Sequence, residues 1–199
     1  EKFLGVDFGD ARTGLALSEA TGLLAVGAGC IRCGNLRKTA EQVAAFAKEH
    51  GVKIATENMW NWNKELDQAA PAACSHHDNF LAHIKAVNDP YLVACLDLGH
   101  AEMKGLGTTA RESILTLGEH LQALHIHDND RWHDSHQIPF SMQMDFDVIV
   151  RSLKEIGYRG YFTLEADRYL SAFNEENVAE GVQNMADAAH KLADMFENC

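Results

Sequence analysis

The sequence predicts an α/β fold, and three observations carry that prediction. Short β-patterned runs punctuated by turn residues open the chain and lead into an amphipathic helix. From Lys53 onward the pattern becomes apolar run, loop, helix, repeated four times. Each of those four runs ends in an acid or an imidazole: Glu57, Asp97, His125 or His127, and Glu165.

Residues 3–9 (FLGVDFG) and 12–18 (RTGLALS) read as strands joined by the turn Gly9-Asp10-Ala11, and residues 24–32 as a third, giving an antiparallel meander. A helix follows: Asn35 can cap it, Leu36, Ala40, Val43, Ala44 and Ala47 recur at helical spacing, and Gly51 can end it. Residues 52–59 (VKIATENM) read as a buried strand that closes this opening and starts the next pattern. An irregular segment, 58–77, leads to a helix capped by Asp78, with Phe80, Leu81, Ile84 and Val87 inward and Pro90 beyond it. The next strand is 91–98, and Thr109 with Glu112 forms a capping box for a helix burying Ile114, Leu117 and Leu121. Strand 123–128 runs into a long loop, Asp145 caps a helix stopped by Gly157, strand 160–165 follows, and an amphipathic helix from Val178 to Phe196 closes the chain. Four β/α units in succession imply parallel strands joined by right-handed crossovers.

At 199 residues with 46% apolar content, the chain is ordinary globular material. No apolar run approaches the roughly 18 residues of a membrane span, so neither a span nor a signal peptide is expected. Residues 1–52 carry six acids and six bases, so the whole excess of twelve negative charges lies in residues 53–199. That argues against a nucleic-acid surface, which needs clustered Lys and Arg, and suits a neutral small ligand or a metal cation. Five widely spread cysteines suggest a reduced, cytoplasmic setting, with Cys30 and Cys33 as strand-end residues.

The four strand ends carry the chemistry. Loops following parallel strands gather on one rim, so Glu57, Asp97, a histidine (His125 or His127) and Glu165 can converge on one ion. Three carboxylates and an imidazole suit Mn, Mg, Co or Zn. Six of the eleven histidines fall between His100 and His136, which strengthens the expectation.

Two resemblances refine this reading. GVDFGDARTGLALSEATGLLAVG and the helix after it, about residues 2–54, resemble the N-terminal half of the YqgF family of Holliday-junction-resolvase-like nucleases. That resemblance implies a ribonuclease-H-like fold and makes Asp7 one of several metal-holding carboxylates, here a vestige because the others do not follow. Residues 53–199, through CLDLGHAEM, ALHIHDNDR and GYRGYFTLEADRYL, resemble the C-terminal half of the xylose-isomerase-like (β/α)8 barrels of sugar and sugar-phosphate isomerases and epimerases. It implies a divalent metal on Glu57, Asp97, His125 and Glu165, the two glutamates as the acid/base pair, and His100 and Arg131 as substrate contacts. The epimerases' second glutamate falls on Asn63, and Asp134 with His136 resembles a second metal pair of the apurinic endonuclease branch.

The combined expectation is a chimera, natural or engineered. It has a ribonuclease-H-like half-domain (1–52), a half (β/α)8 barrel (53–199) sharing strand 52–57, and one mixed sheet ordered 3-2-1-4-5-6-7. Its open edge favours a homodimer. Three functions follow: a metal-dependent isomerase or epimerase acting on a small sugar or sugar phosphate, a chain without efficient activity, and, disfavoured, a nuclease.

Overall fold

The computed structural model describes residues 2–8, 11–19, 24–32 and 35–199. The turn at Gly9-Asp10 and the Cys33 half of the CxxC pair lie outside them. The chain divides into two compact units, Glu1–Ile54 with Asn88–Val93, and Ala55–Val87 with Ala94–Cys199.

In the first unit, β1 (Leu4–Phe8), β2 (Thr13–Ser18) and β3 (Ala25–Ile31) form an antiparallel meander, with Leu4 opposite Leu17 and Thr13 opposite Ile31. The β2–β3 register slips at Leu15/Ala16, which face Gly29 and Gly27, and Gly29 takes a φ of 148°, a conformation open to glycine. Helix α1 (Leu36–His50) begins where Asn35 Oδ1 accepts the Lys38 amide at 3.0 Å and ends at Gly51, in the left-handed region at φ 64°. Its Val43 packs with Leu15 and Ile31, and Leu4, Phe46 and Ile54 close around them.

Most of the second unit is laid out as β4 (Ile54–Glu57), β5 (Trp60–Asn63), β6 (Gln68–Pro71), α2 (His77–Val87), β7 (Leu92–Asp97), α3 (Leu98–Glu102), α4 (Ala110–Leu117), β8 (Leu121–His125), α5 (Phe146–Glu155) and α6 (Val178–Glu197). The first residues of β4 and β7 belong to the first unit. Sheet order is β4-β7-β8, and the β7–β8 pairing is parallel with Asp97 beside His125, so the strand ends fall on one edge. Apolar helical periodicity buries Phe80 and Ile84 of α2, Ile114 and Leu117 of α4, Ile149 and Leu153 of α5, and Leu192 of α6. Thr109 caps α4 as the capping box predicts: its Oγ1 accepts the Glu112 amide at 3.2 Å. Asp145 caps α5 by accepting from Val148 at 3.1 Å.

The structure corrects several expectations. The described residues form separate sheets, with β1 paired to β2 and β4 to β7, so the single mixed sheet is not formed among them. Strand β4 takes as its partner the strand that its β/α crossover delivers. The segment read as irregular folds into the β5–β6 hairpin, Trp60 opposite Pro71. Tryptophan favours strands, and Asn63 Oδ1 accepts the Glu65 and Leu66 amides at 2.9 and 3.1 Å to make the turn. Asp78 lies inside the first turn of α2 and is not its cap. The expected strand 160–165 is reduced to a parallel bridge, Ile126 to Leu164, held by amides of Ile126 on Thr163 O and Glu165 on Ile126 O, each 2.9 Å. Among the described residues no helix is long and apolar enough to cross a membrane.

Candidate metal centre

Glu57 ends β4, Asp97 ends β7, His125 ends β8, and Glu165 follows the Leu164 bridge. One ligand atom from each of the four lies within 4.8 Å of the others. His125 Nδ1 stands between the two glutamates, 3.1 Å from Glu57 Oε1 and 2.8 Å from Glu165 Oε2. Asp97, 0% exposed, divides its carboxylate: Oδ1 caps α3 by accepting the His100 amide at 2.7 Å, and Oδ2 has no hydrogen-bond partner.

A second group, His100, His127, Asp134 and His136, also gathers within 4.8 Å. Its three imidazoles share one arrangement. Each Nδ1 faces a backbone carbonyl: His100 that of Asn58 (2.9 Å), His136 that of Glu165 (2.8 Å) and His127 that of Asp128 (3.4 Å). A carbonyl only accepts, so Nδ1 carries the proton, and in the neutral ring Nε2 is the nitrogen that keeps its lone pair. All three Nε2 atoms point at Asp134: His100 at 3.5 Å, His127 at 3.4 Å and His136 at 3.2 Å. Orientation of an imidazole through its far nitrogen is the way metal-binding histidines are held. His127 Nε2 is also 3.2 Å from Asp97 Oδ1, which links the two groups.

Asn58 fixes the geometry between β4 and β7. Its Nδ2 donates to Asp97 O at 3.0 Å and its Oδ1 accepts the Asp97 amide at 2.8 Å, clamping the backbone that carries the aspartate. Gly99 makes room for His127: a Cβ there would lie 2.0 Å from the imidazole Cε1.

The electrostatics follow from this crowding. Burial opposes charge on His100, but the Asp134 and Asp97 carboxylates outweigh it and raise its pKa to about 9. Burial likewise opposes charge on Asp134, yet His100, His136 and His127 hold it down to about 2. His125 is raised to about 11 by the Cys95 side chain and by Glu57; burial pushes the Cys95 thiol itself up, so at neutral pH the carboxylate is the effective partner. Burial pushes Glu165 up.

Donor chemistry and satisfaction both fit a cation. Among the described residues, the buried side-chain atoms that make no hydrogen bond are Asp97 Oδ2, His127 Nε2, Asp134 Oδ1 and Glu165 Oε2, although imidazole and carboxylate approach one another at 2.8–3.4 Å at the last three. All four belong to these two groups. Unpaired buried donors and acceptors are costly, and a divalent cation is the partner that carboxylates and imidazoles share.

The other residues singled out by sequence are placed as follows. Arg131 faces Glu102, with Nη2 3.6 Å from its carboxylate. Asn63 is spent on the hairpin turn. Asp7 sits exposed on β1 opposite Gly14 and joins no donor group among the described residues. His127 was considered only as a stand-in for His125. The spacing of two along an extended segment puts both on one side, with Ile126 turned the other way, and that signal was available in the sequence.

A family model described as "Xylose isomerase-like TIM barrel" matches residues 27–196. The chain belongs to that family. The match starts inside β3 and continues through residue 53, so it runs against a splice there, and none of the relatives found supports a YqgF or ribonuclease-H-like segment. The uncharacterized protein MJ1311 of Methanocaldococcus jannaschii is 26% identical over 140 residues, covering 70% of this chain and 45% of that protein. A D-tagatose 3-epimerase-like protein of known structure superposes with a TM-score of 0.55 at 21% identity, covering 79% of this chain and 54% of that one. A D-psicose 3-epimerase from Clostridium cellulolyticum H10, solved with D-tagatose, gives a TM-score of 0.59 at 16% identity over 78% of this chain and 54% of that one. The chain therefore spans less than half of this curated relative and about half of these structures, and at such identities the likeness shows the fold alone.

Proposed function

We propose that this chain carries the cation-binding, proton-transferring face of a sugar isomerase or epimerase, acting next to the carbonyl of a ketose or ketose phosphate. The observation that carries the reading is the meeting of Glu57, Asp97, His125 and Glu165 from successive β/α units. Such a set would hold Mn, Mg, Co or Zn. A bound divalent ion would polarise the carbonyl and steady the negative charge that develops on its oxygen. Glu57 and Glu165 are the proton carriers. Burial raises Glu165 toward the working pH, where a general acid/base is most effective. His100 stands beside Glu57, 3.9 Å from Oε1, as a substrate contact or, with His127, Asp134 and His136, as a ligand of a second ion. Arg131, 47% exposed at its side chain, is the second substrate contact. The described cysteines are free thiols, which accords with a cytoplasmic setting.

Metal analysis of the purified protein, with D-tagatose and D-psicose tested for epimerisation and for exchange of the carbon-bound proton, decides the matter. Bound divalent ion together with turnover that Glu165→Gln abolishes is the expected result. Protein that takes up no divalent ion overturns the reading. Ion binding without any exchange leaves a cation-binding barrel fragment and removes the enzymatic part.

A further inference from the structure

The β5–β6 hairpin poses a question that the donor groups do not answer. Trp60 and Trp62, two apart on β5, share a face of the hairpin, their rings 6.2 Å apart and tilted by 76°. Trp60 is anchored against Ala69, Met103 and Leu106, whereas Trp62 keeps 37% of its surface exposed. Together with His133, Asp134 and Arg168 they line a cavity of about 260 Å³. Neither Glu57, Asp97, His125 nor Glu165 lines it, although Asp134 of the second donor group does.

The wall is chemically balanced. The Arg168 guanidinium donates to the Asp134 carbonyl at 2.8 Å, and His133 Nδ1 lies 2.8 Å from Asp130 Oδ2. The guanidinium is thus held by a backbone carbonyl, while the Asp134 carboxylate faces the imidazoles of the second donor group, and one guanidinium is no cluster of cations to hold a phosphate. An indole presents a negative face to polarised C–H groups, and the guanidinium N–H groups not spent on that carbonyl offer donors to hydroxyls. An apolar wall with a few convergent polar groups is the lining that orients a small ligand.

We infer that this cavity is a subsite for a neutral sugar ring that is not the reacting one, so that a glycoside or disaccharide of the ketose is bound in preference to the bare ketose. The inference rests on the sugar reading above. Trp62 and Arg168 are its specificity-determining residues: the indole stacks on the ring and the guanidinium donates to its hydroxyls.

Titration of the metal-loaded protein with maltose, cellobiose, sucrose and trehalose, followed by tryptophan fluorescence and calorimetry, tests it. At least one disaccharide is expected to bind saturably, roughly tenfold more weakly in Trp62→Ala and in Arg168→Ala, and unchanged in Trp132→Phe, outside the cavity. Thermal melting checks that the variants fold; Trp62 is exposed enough to be replaced. The inference is overturned if no disaccharide binds, if Trp62→Ala binds as the parent does, or if D-fructose matches the disaccharides with the same dependence. Tighter binding of fructose 6-phosphate that depends on Arg168 also overturns it, since the cavity would then be an anion site. Trp62-dependent binding that survives in Glu165→Gln while no epimerisation is ever detected would leave the subsite standing and remove the proposed reaction. Turnover of D-tagatose or D-psicose without any Trp62-dependent binding of a disaccharide would do the reverse.

Discussion

Asp134 is the residue on which most of the local charge turns, since three imidazoles face its carboxylate. Without a cation the His100 ring is protonated to pair with it, and this sets a pH window. His100, raised from 6.5 to about 9, contributes stability that is complete below pH 6.5 and lost as pH climbs through about 9. Asp134, lowered from 3.8 to about 2, contributes stability present above pH 3.8 and lost as pH falls through about 2. The cation-free protein should therefore melt highest between pH 3.8 and 6.5 and lower by pH 9.5. Added Mn2+ should reverse the alkaline loss, because ligation needs neutral imidazole. Melting curves across this range, with and without the ion, check it, and a flat cation-free profile would count against the pairing. Gly99 offers a more local probe. With an added Cβ only 2.0 Å from its Cε1, His127 must move, so Gly99→Ala should lose the ion of the second group while the first keeps its own. Metal stoichiometry before and after the substitution measures this. At this scale the sequence revealed strand-end acids and a histidine because their position repeats. The second group was only half legible: Asp134 and His136 stood out by their spacing. The parts of His100 and His127 depend on carbonyls of Asn58 and Asp128 whose directions no residue pattern encodes.

Among the elements, those with a strong period were readable and those defined by contact were not. Helices α1, α4 and α5 start at the residues their caps predict, because Asn35, Thr109 and Asp145 each satisfy an amide of the first turn. The hairpin escaped notice because WNWN alternates aromatic with amide, not apolar with charged, and its partner strand QAAP carries a proline. The last strand looked regular in sequence, yet only a bridge forms there, where Gly160 passes so close to Tyr158 that a Cβ would lie 2.2 Å from the hydroxyl. The long loop after β8 is organised by a residue legible in the sequence only as the end of a strand. Asp128, fully buried, accepts amides from Asn129 (2.9 Å), Met142 (2.8 Å) and Met144 (3.0 Å), and its backbone pairs with Gln137. Replacing it leaves three donors without their acceptor, at about 1–3 kcal/mol for each that stays dry. Asp128→Ala should thus lower stability by several kcal/mol and free the segment carrying Asp134 and His136. Chemical denaturation reads the first effect and hydrogen exchange across residues 129–144 the second; a loss under about 1 kcal/mol would show that water replaces the carboxylate.

At the scale of the whole molecule the question is how the barrel-type sheet is completed. The β4-β7-β8 sheet has three strands, extended by a single bridge to Leu164. A (β/α)8 barrel closes with eight strands, and among the described residues the three strands and a bridge leave an edge on which a further strand can pair. The segment that carries the bridge, residues 160–165, is largely apolar and aromatic, with Tyr161 59% exposed. A second copy of the chain can supply strands of the same pleat and twist, and closed two-fold pairing is the commonest way for a soluble chain to cover such a surface. We therefore expect a homodimer at micromolar concentration, detected as twice the chain mass of 22.0 kDa by light scattering. A charge placed on the edge, Tyr161→Lys, should shift the equilibrium toward the monomer by weakening edge-to-edge pairing, and should leave metal stoichiometry unchanged because all the donors come from one chain. A parent protein that scatters as a monomer at that concentration would mean the edge is covered from within the chain, and the variant would then behave as the parent does.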